Sequence, residues 1–295
     1  MDPDGRGSRH SQPVTRRSFL AGVVVSPTWI GFAAGRARGQ KVDPPREGNP
    51  AGRLDAMRWL AGGVKVSEVV NGQPGRPIPL RPEPLLRYSD PPRHIHDSTL
   101  WAWGETGRPR AILKIEHMPL SDDPHRWVHG VAALAAGRIE VEFRDGRRWR
   151  SSRPGLELVA IPGAPAPAGS GGLRLGQLKE ISRRFSASEI AGPARGRLQL
   201  RLMPRPLLRY DGSGARDGAI FGIAYGTNPS VLLAIEARED DGDPGWRYGL
   251  ARHGDGDFTV TLDGRDVWKQ PPIGPLPASL PTYMNRWVPA SDEAK

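Results

Sequence analysis

The 295-residue chain contains no cysteine. That excludes a disulfide framework, a thiolate zinc site, a cysteine nucleophile and a lipoprotein anchor. No apolar run reaches about 20 residues, the length a bilayer-spanning helix requires, so a multi-span membrane protein is excluded. The mature chain is expected to carry no integral span. No glycine-rich phosphate loop, Gly-x-Ser-x-Gly elbow or HExxH helix occurs. Lysine is scarce, six of the 42 basic residues. The formal net charge is +10, but residues 1–39 hold six Arg and two Asp and so supply +4 of it. The remaining 36 basic and 30 acidic residues leave only +6. So thin an excess gives no footprint for specific nucleic-acid binding. Glycine (37) and proline (31) are plentiful, which calls for many turns and extended segments, and 37% hydrophobic residues suffice for one or two cores.

The N-terminus reads as an address. Its first 14 residues are polar and basic, and Thr15-Arg16-Arg17-Ser18-Phe19-Leu20-Ala21 follows. This stretch resembles the twin-arginine (Tat) signal, Ser/Thr-Arg-Arg-x-Phe-Leu with a frequent Lys, here replaced by Ala21. The apolar stretch Leu20 to Ala34 is broken by Ser26, Pro27 and Thr28, too short for a stable span. Small residues at Gly35, Ala37 and Gly39 suit cleavage before Arg38 or Gln40. The resemblance implies export of an already folded chain to the periplasm or beyond. The lack of cysteine suits that route, because folding need not wait for an oxidising compartment.

The body contains an internal repeat. Pro82-Glu83-Pro84-Leu85-Leu86-Arg87-Tyr88 recurs as Pro204-Arg205-Pro206-Leu207-Leu208-Arg209-Tyr210. Asp97 to Glu116 aligns without gaps to Asp217 to Glu236, and Trp127 to Phe143 aligns to Trp246 to Leu262. Asp145-Gly146-Arg147 answers Asp263-Gly264-Arg265, Trp149 answers Trp268, and upstream Arg53-Leu54 answers Arg174-Leu175. The blocks keep their order, which points to a tandem duplication. The expected organisation is a signal over 1–39, a linker over 40–52, units over 53–154 and 174–272, a flexible Pro/Gly/Ala-rich linker over 155–173 and a Pro-rich extended tail over 273–295.

Within each unit, Leu54, Met57, Leu60 and Val64, and likewise Leu175, Leu178, Ile181 and Phe185, suit one face of a short helix. Leu198, Leu200 and Leu202 alternate with polar residues, as on a half-buried strand. Ile139 to Phe143 and Phe258 to Leu262 also alternate, each leading into Asp-Gly, a hairpin signal. The expected fold is α+β and mainly antiparallel β, with one helix and about five or six strands per unit; an all-β sandwich is the alternative. The layout resembles a group of planctomycete-type exported proteins with PLLRY-like segments, and that resemblance brings no activity with it.

Candidate chemistry is sparse. His94-Ile95-His96 on a strand would set two imidazoles on one face, a workable start for a divalent metal such as zinc, copper or iron, with Glu105 or Glu116 completing the shell. Other histidines stand at 117, 125 and 129. The bland account is surface histidines beside proline-rich loops. Arg87/Arg209, Asp97/Asp217 and Glu116/Glu236 occur in both units, as ion pairs and turn caps would; the sharper account is a carboxylate pair at a pseudo-symmetric cleft. Trp101 and Trp103 would share a strand face and suit sugar stacking, but Phe221 and Ile223 in their places favour core packing. Glu239 to Asp243 is acidic enough for calcium but lacks the EF-hand spacing. Arg144 to Arg153 holds five Arg on a hairpin edge. The leading expectation is a non-enzymatic binding or structural module of the cell envelope, with an envelope component or polysaccharide as partner. The alternative is a metal-assisted or acid–base hydrolase.

Overall fold

The computed structural model describes residues 49–119, 126–190, 196–212, 214–240, 243–274 and 276–288. The twin-arginine segment, residues 40–48 of the first linker and His125 lie outside the described residues. The first half of the body comprises α1 (Pro50–Gly62), β1 (Lys65–Val70), β2 (Gln73–Ile78), β3 (Leu86–Asp90), β4 (Ile95–Trp103), β5 (Ala111–His117), β6 (Trp127–Ala133), β7 (Ile139–Glu142) and β8 (Arg148–Arg150). A short β9 (Val159–Ala160) follows. The second half comprises α2 (Gly171–Ser182), β10 (Phe185–Ile190), β11 (Arg197–Leu202), β12 (Leu208–Gly212), β13 (Ala215–Tyr225), β14 (Asn228–Asp240), β15 (Asp243–Arg252), β16 (Asp257–Leu262) and β17 (Arg265–Gln270). The tail adds β18 (Ala278–Ser279) and β19 (Tyr283–Val288).

Capping fixes the helix starts. The Asn49 side chain accepts from Gly52 N and the Ser170 side chain from Leu173 N, and Pro50 stands at the first helical position, where its missing N–H costs nothing. Both helices begin three residues ahead of the expected boundaries at 53 and 174. Met57 and Leu60, and likewise Leu178 and Ile181, are buried as expected. Val64 and Phe185 are buried too, but they lie beyond the helix ends, leading into β1 and opening β10.

All strand pairs are antiparallel and build four layers. The first layer runs β2-β1-β7-β8 and the second β18-β19-β6-β5-β4-β3. The other two share one sheet of order β17-β16-β10-β11-β13-β14-β15-β9, with β12 beside β13. The link β11 to β13 is made at Leu202 and Ile223, and a single bridge from Leu80 to Trp103 stands at the aligned place in the first half. Among the described residues each half holds eight strands rather than five or six. The excess lies in segments without an alternating pattern, such as β2, whose Gln-Pro-Gly-Arg-Pro-Ile sequence is tolerated because it is an edge strand.

Three cores separate the layers. Trp101, Leu113, Ile115 and Trp127 pack against α1 and against Val66, Ile139 and Val141 of the first layer. Phe221, Leu233, Ile235 and Trp246 pack against Leu178 and Ile181 of α2 and against Ala187, Phe258 and Val260. Between these lies a seam core, in which Leu100, Ala102, Ile112 and Ala132 meet Ile220, Leu232, Ala234 and Ala251. Strands β5 and β6 are therefore buried along their whole length and on both faces. Such strands read as continuous apolar runs rather than alternating ones.

The segment between the halves is tied to the body by hydrogen bonds and by one buried side chain. Gly155 N donates to Ala135 O (2.9 Å), Ile161 is buried in the second core, and Gln177 ties down both Ala166 and Ala168. The described part of the tail, up to residue 288, is extended and hydrogen-bonded. β19 pairs with β6 from Tyr283 opposite Ala132 to Val288 opposite Trp127, and Met284 enters the first core. Arg286 forms an ion pair with Asp145. Strand β9, which follows the first half, pairs with β15 of the second half. Each half is thus edged by the chain that leaves the other. No helix among the described residues is long and apolar enough to cross a membrane.

Candidate functional site

The repeated polar residues form two kinds of cluster. Asp97 accepts from Arg87 Nε (2.9 Å), Arg87 Nη2 (2.6 Å) and Arg53 Nε (3.2 Å), while Arg87 Nη2 also donates to Pro50 O in the first turn of α1 (2.6 Å). Asp217 accepts likewise from Arg209 Nε (2.9 Å), Arg209 Nη2 (2.6 Å) and Arg174 Nε (2.9 Å). Burial alone would raise both carboxyls, but the paired guanidinium groups hold them below the ordinary aspartate range. These groups fasten each helix start to the strand that carries the Leu-Leu-Arg-Tyr segment. The arrangement is structural.

The second cluster lies in the seam. Glu116 Oε1 accepts from Tyr88 OH (3.0 Å) and from Asn228 Nδ2 (3.1 Å), the latter reaching over from the other half. Glu236 Oε1 accepts from Tyr210 OH (2.8 Å) and from Arg108 Nη1 (3.0 Å), again from the other half. Their neutralising cations differ. Lys114 Nζ lies 3.7 Å from Glu116 and donates to Asn228 Oδ1 (2.6 Å), Pro229 O (3.0 Å) and His253 O (2.6 Å). Glu236 instead has Arg108 together with Arg238, whose Nη1 lies 2.9 Å from Glu236 Oε2. Burial pushes the Lys114 ammonium below its usual range, against the pull of Glu116, and raises the Tyr88 and Tyr210 phenols. Arg93 Nη2 reaches from the first half to Glu189 Oε2 (2.7 Å). Every strong donor here is turned into the protein, which suits a clasp rather than a catalytic pair.

The histidines are dispersed. His94 ends the 3-10 turn at 91–93 in a left-handed conformation (φ 59°), so it does not share a strand face with His96 as expected. Both are exposed. The His96 ring lies 6.1 Å from that of His117, which is buried against Trp127 at 4.7 Å. Glu116 points into the seam and Glu105 lies in the loop after β4, so neither joins His94 and His96. His129 is buried beside Phe143, with no partner for either ring nitrogen among the described residues. Burial and the nearby Arg286 push its imidazole down to about 3. No group of three or more His, Asp or Glu placed to hold a metal occurs among the described residues. Trp101 and Trp103 are each 1% exposed and so present no face to a sugar. The acidic loop at 239–243 lies partly outside the described residues. On the arginine-rich hairpin, Arg148 pairs with Glu142, Arg150 with Glu140, and Arg144 lies 3.8 Å over the Trp59 ring.

A groove of about 840 Å³ opens beside the seam. One wall is the β15 edge from Tyr248 to Arg252, and another is Val267, Trp268 and Gln270 of β17. Segments 153–157 and 271–273, with Leu280 to Tyr283, close the rest. Leu250, Val267 and Trp268 are only partly buried and leave the second core open to the groove. Arg252 anchors the rim by donating to the carbonyls of Gly254, Gly256 and Pro271. Among the described lining residues Glu157 is the single carboxylate.

The groove follows from unequal edging. In the first half, β19 covers six successive positions of β6, whereas β9 covers only Arg247 and Tyr248 of β15. Sequence reading did not reach this difference, because it depends on where the linker leaves the strand. It also passed over Lys114, Arg108 and Asn228. The signal was available: the ungapped alignment sets Arg108 against Asn228 and Lys114 against Ala234, so polar character changes at otherwise similar positions. No protein-family model, curated protein or solved structure matches the chain.

Proposed function

We propose that the protein is an exported, non-enzymatic binding module of the cell envelope, made by tandem duplication of one helix-plus-antiparallel-sheet unit and holding its ligand in the groove beside β15. The observation that carries this reading is the groove itself, with half-buried Leu250, Val267 and Trp268 on its walls and one carboxylate, Glu157, in its lining. Glycoside hydrolysis commonly uses two carboxyl groups facing one bond, and among the described lining residues only Glu157 carries one. Duplication is supported by the ladder orders β2-β1-β7-β8 and β11-β10-β16-β17, and by the matched Asp97 and Asp217 clusters. Export is supported by Arg16 and Arg17 ahead of the apolar stretch. Replacing both by Lys should retain the protein in the cytoplasm with its signal uncleaved; normal export would remove the twin-arginine assignment.

Binding is tested with the mature chain and its Trp268→Ala variant on immobilised envelope fractions. Retention of the natural chain and loss in the folded variant are expected. Equal retention, or none, would remove the groove as the ligand site. One observation favours a hydrolase as the second reading. Asp255 accepts from Tyr283 OH (3.4 Å) beside the groove, and desolvation by the surrounding protein raises its carboxyl, as in a general acid. Hydrolysis of an envelope polymer that Asp255→Asn abolishes would establish it.

A further inference from the structure

The geometry points to an extended peptide segment as the occupant of the groove, adding a short antiparallel strand to the open edge of β15; this rests on the groove being the ligand site. Ile161 N donates to Trp246 O (2.9 Å), and Val159 stands opposite Tyr248. In a strand, alternate residues turn their N–H and C=O to the same edge. Leu250 and Arg252 therefore aim their backbone groups the same way as Trp246 and Tyr248, into the groove. Among the described residues the ladder on that edge stops at Tyr248.

The first half shows what such an edge accepts. There the ladder continues, with Asn285 opposite Gly130, Met284 opposite Val131 and Tyr283 opposite Ala132. The alignment sets Leu250 where the first half has Val131. Beside Val131, the Met284 side chain completes the first core and is 7% exposed. Beside Leu250 the linker has already turned away: Leu156 dips into the seam core and Glu157 faces solvent. The position of the second side chain is left open, walled by Leu250, Val267 and Trp268. A segment of about three or four residues fits the remaining edge, at about 3.3 Å per residue. Its central residue would carry an unbranched apolar side chain of methionine size. The groove thus continues an existing ladder, and main-chain pairing supplies affinity while one apolar pocket supplies selectivity. A glycan stacked on Trp268 would make no use of that backbone parity.

The experiment pans a displayed library of randomised linear octapeptides on the mature chain. Selected peptides are then synthesised with a single N-methyl group placed at each position in turn. Binders are expected to be displaced by Trp268→Ala and to protect the Leu250 and Arg252 amides from hydrogen exchange. N-methylation should weaken them by about tenfold at alternate positions and little between, the pattern of lost ladder bonds. Absence of binders that depend on Trp268, or sensitivity to N-methylation without alternation, would overturn the peptide assignment. If chito-oligosaccharides bind in a Trp268-dependent way while peptides do not, the groove stands as the ligand site and the peptide inference falls. If neither probe depends on Trp268 and envelope retention does not either, the groove itself falls.

Discussion

Replacing Lys114 by Ala takes the donor from three buried acceptors, Asn228 Oδ1, Pro229 O and His253 O. It also leaves the Glu116 carboxylate without the cation 3.7 Å away. Lys114 is 4% exposed, so water cannot readily take over those roles. Removing one partner of a buried pair costs about 3–5 kcal/mol, because the remaining charge is stranded in a poor solvent. That is a large part of the roughly 5–15 kcal/mol that holds an ordinary domain folded. Denaturation of the chain in urea, followed by tryptophan fluorescence and far-UV circular dichroism, reads the loss as a lowered midpoint. The second half suggests a repair. Ala234 occupies the aligned place of Lys114, and Arg238, aligned with Met118, donates to Glu236. The double variant Lys114→Ala with Met118→Arg should recover about half of the loss or more, as expected for coupled neighbours. A single-variant loss under about 1 kcal/mol would refute the claim that Lys114 neutralises a buried charge. Absence of recovery would refute the equivalence of the two carboxylate sites.

Trp127→Ala and Trp246→Ala should each cost about 3–5 kcal/mol, since both rings are fully enclosed. Trp246→Phe should cost far less, because the indole N–H has no partner among the described residues; equal losses for the two Trp246 variants would contradict this. Acid should also destabilise the fold. The unfolded His129 takes up a proton below about 6.5, whereas the folded ring stays neutral down to about 3, so stability drops as pH falls between those values. The Asp97 and Asp217 contributions have the lowered-carboxyl sign: present above the ordinary aspartate range and lost as pH falls through their depressed folded values. His129→Phe should partly flatten the slope of the urea midpoint against pH between about 4 and 6, the buried His253, also pushed down by desolvation, keeping the rest; an unchanged slope would show that His129 is not a buried neutral group. His94→Ala with His96→Ala should cost under about 1 kcal/mol, both rings being exposed, and a larger loss in thermal melts would give them a role that their positions do not suggest.

The sequence displayed what depends on local patterning. Met57 and Leu60, and likewise Leu178 and Ile181, mark the inner faces of the two helices, and Asp263-Gly264 makes a hairpin turn with positive φ at both residues, whereas the caps Asn49 and Ser170, lying ahead of the expected starts, were not read. It was less clear where strands are buried on both sides. Ala111 to Leu113 is an unbroken apolar run, yet Ile112 faces the seam and Leu113 the first core. Pairing distant in sequence was not legible at all. Nothing local to Tyr283-Met284-Asn285 names β6 as its partner, and nothing local to Glu157 says that the linker leaves β15 there. The groove is the product of those two nonlocal choices, so the candidate site escaped a reading that found both helices. Arg87, Asp97 and Glu116 were visible because they recur; their partners Asn228 and Arg108 were not, because across the seam each half answers with a different residue.

The edging strand β19 has a consequence for how the molecule is made. It is the last described strand to leave the ribosome, yet it belongs in the sheet formed by some of the first. Until it arrives, β6 presents an open edge and the first core lacks Met284. The earlier half must therefore wait through synthesis of the later one, with an unpaired strand at risk of joining the wrong neighbour. Ladders closed across so long a stretch of chain also form slowly. A chain ending at residue 272 would keep both helices and both Asp-Gly hairpins, yet it would leave the first half unfinished, so completion of the first half is tied to synthesis of residues 283–288.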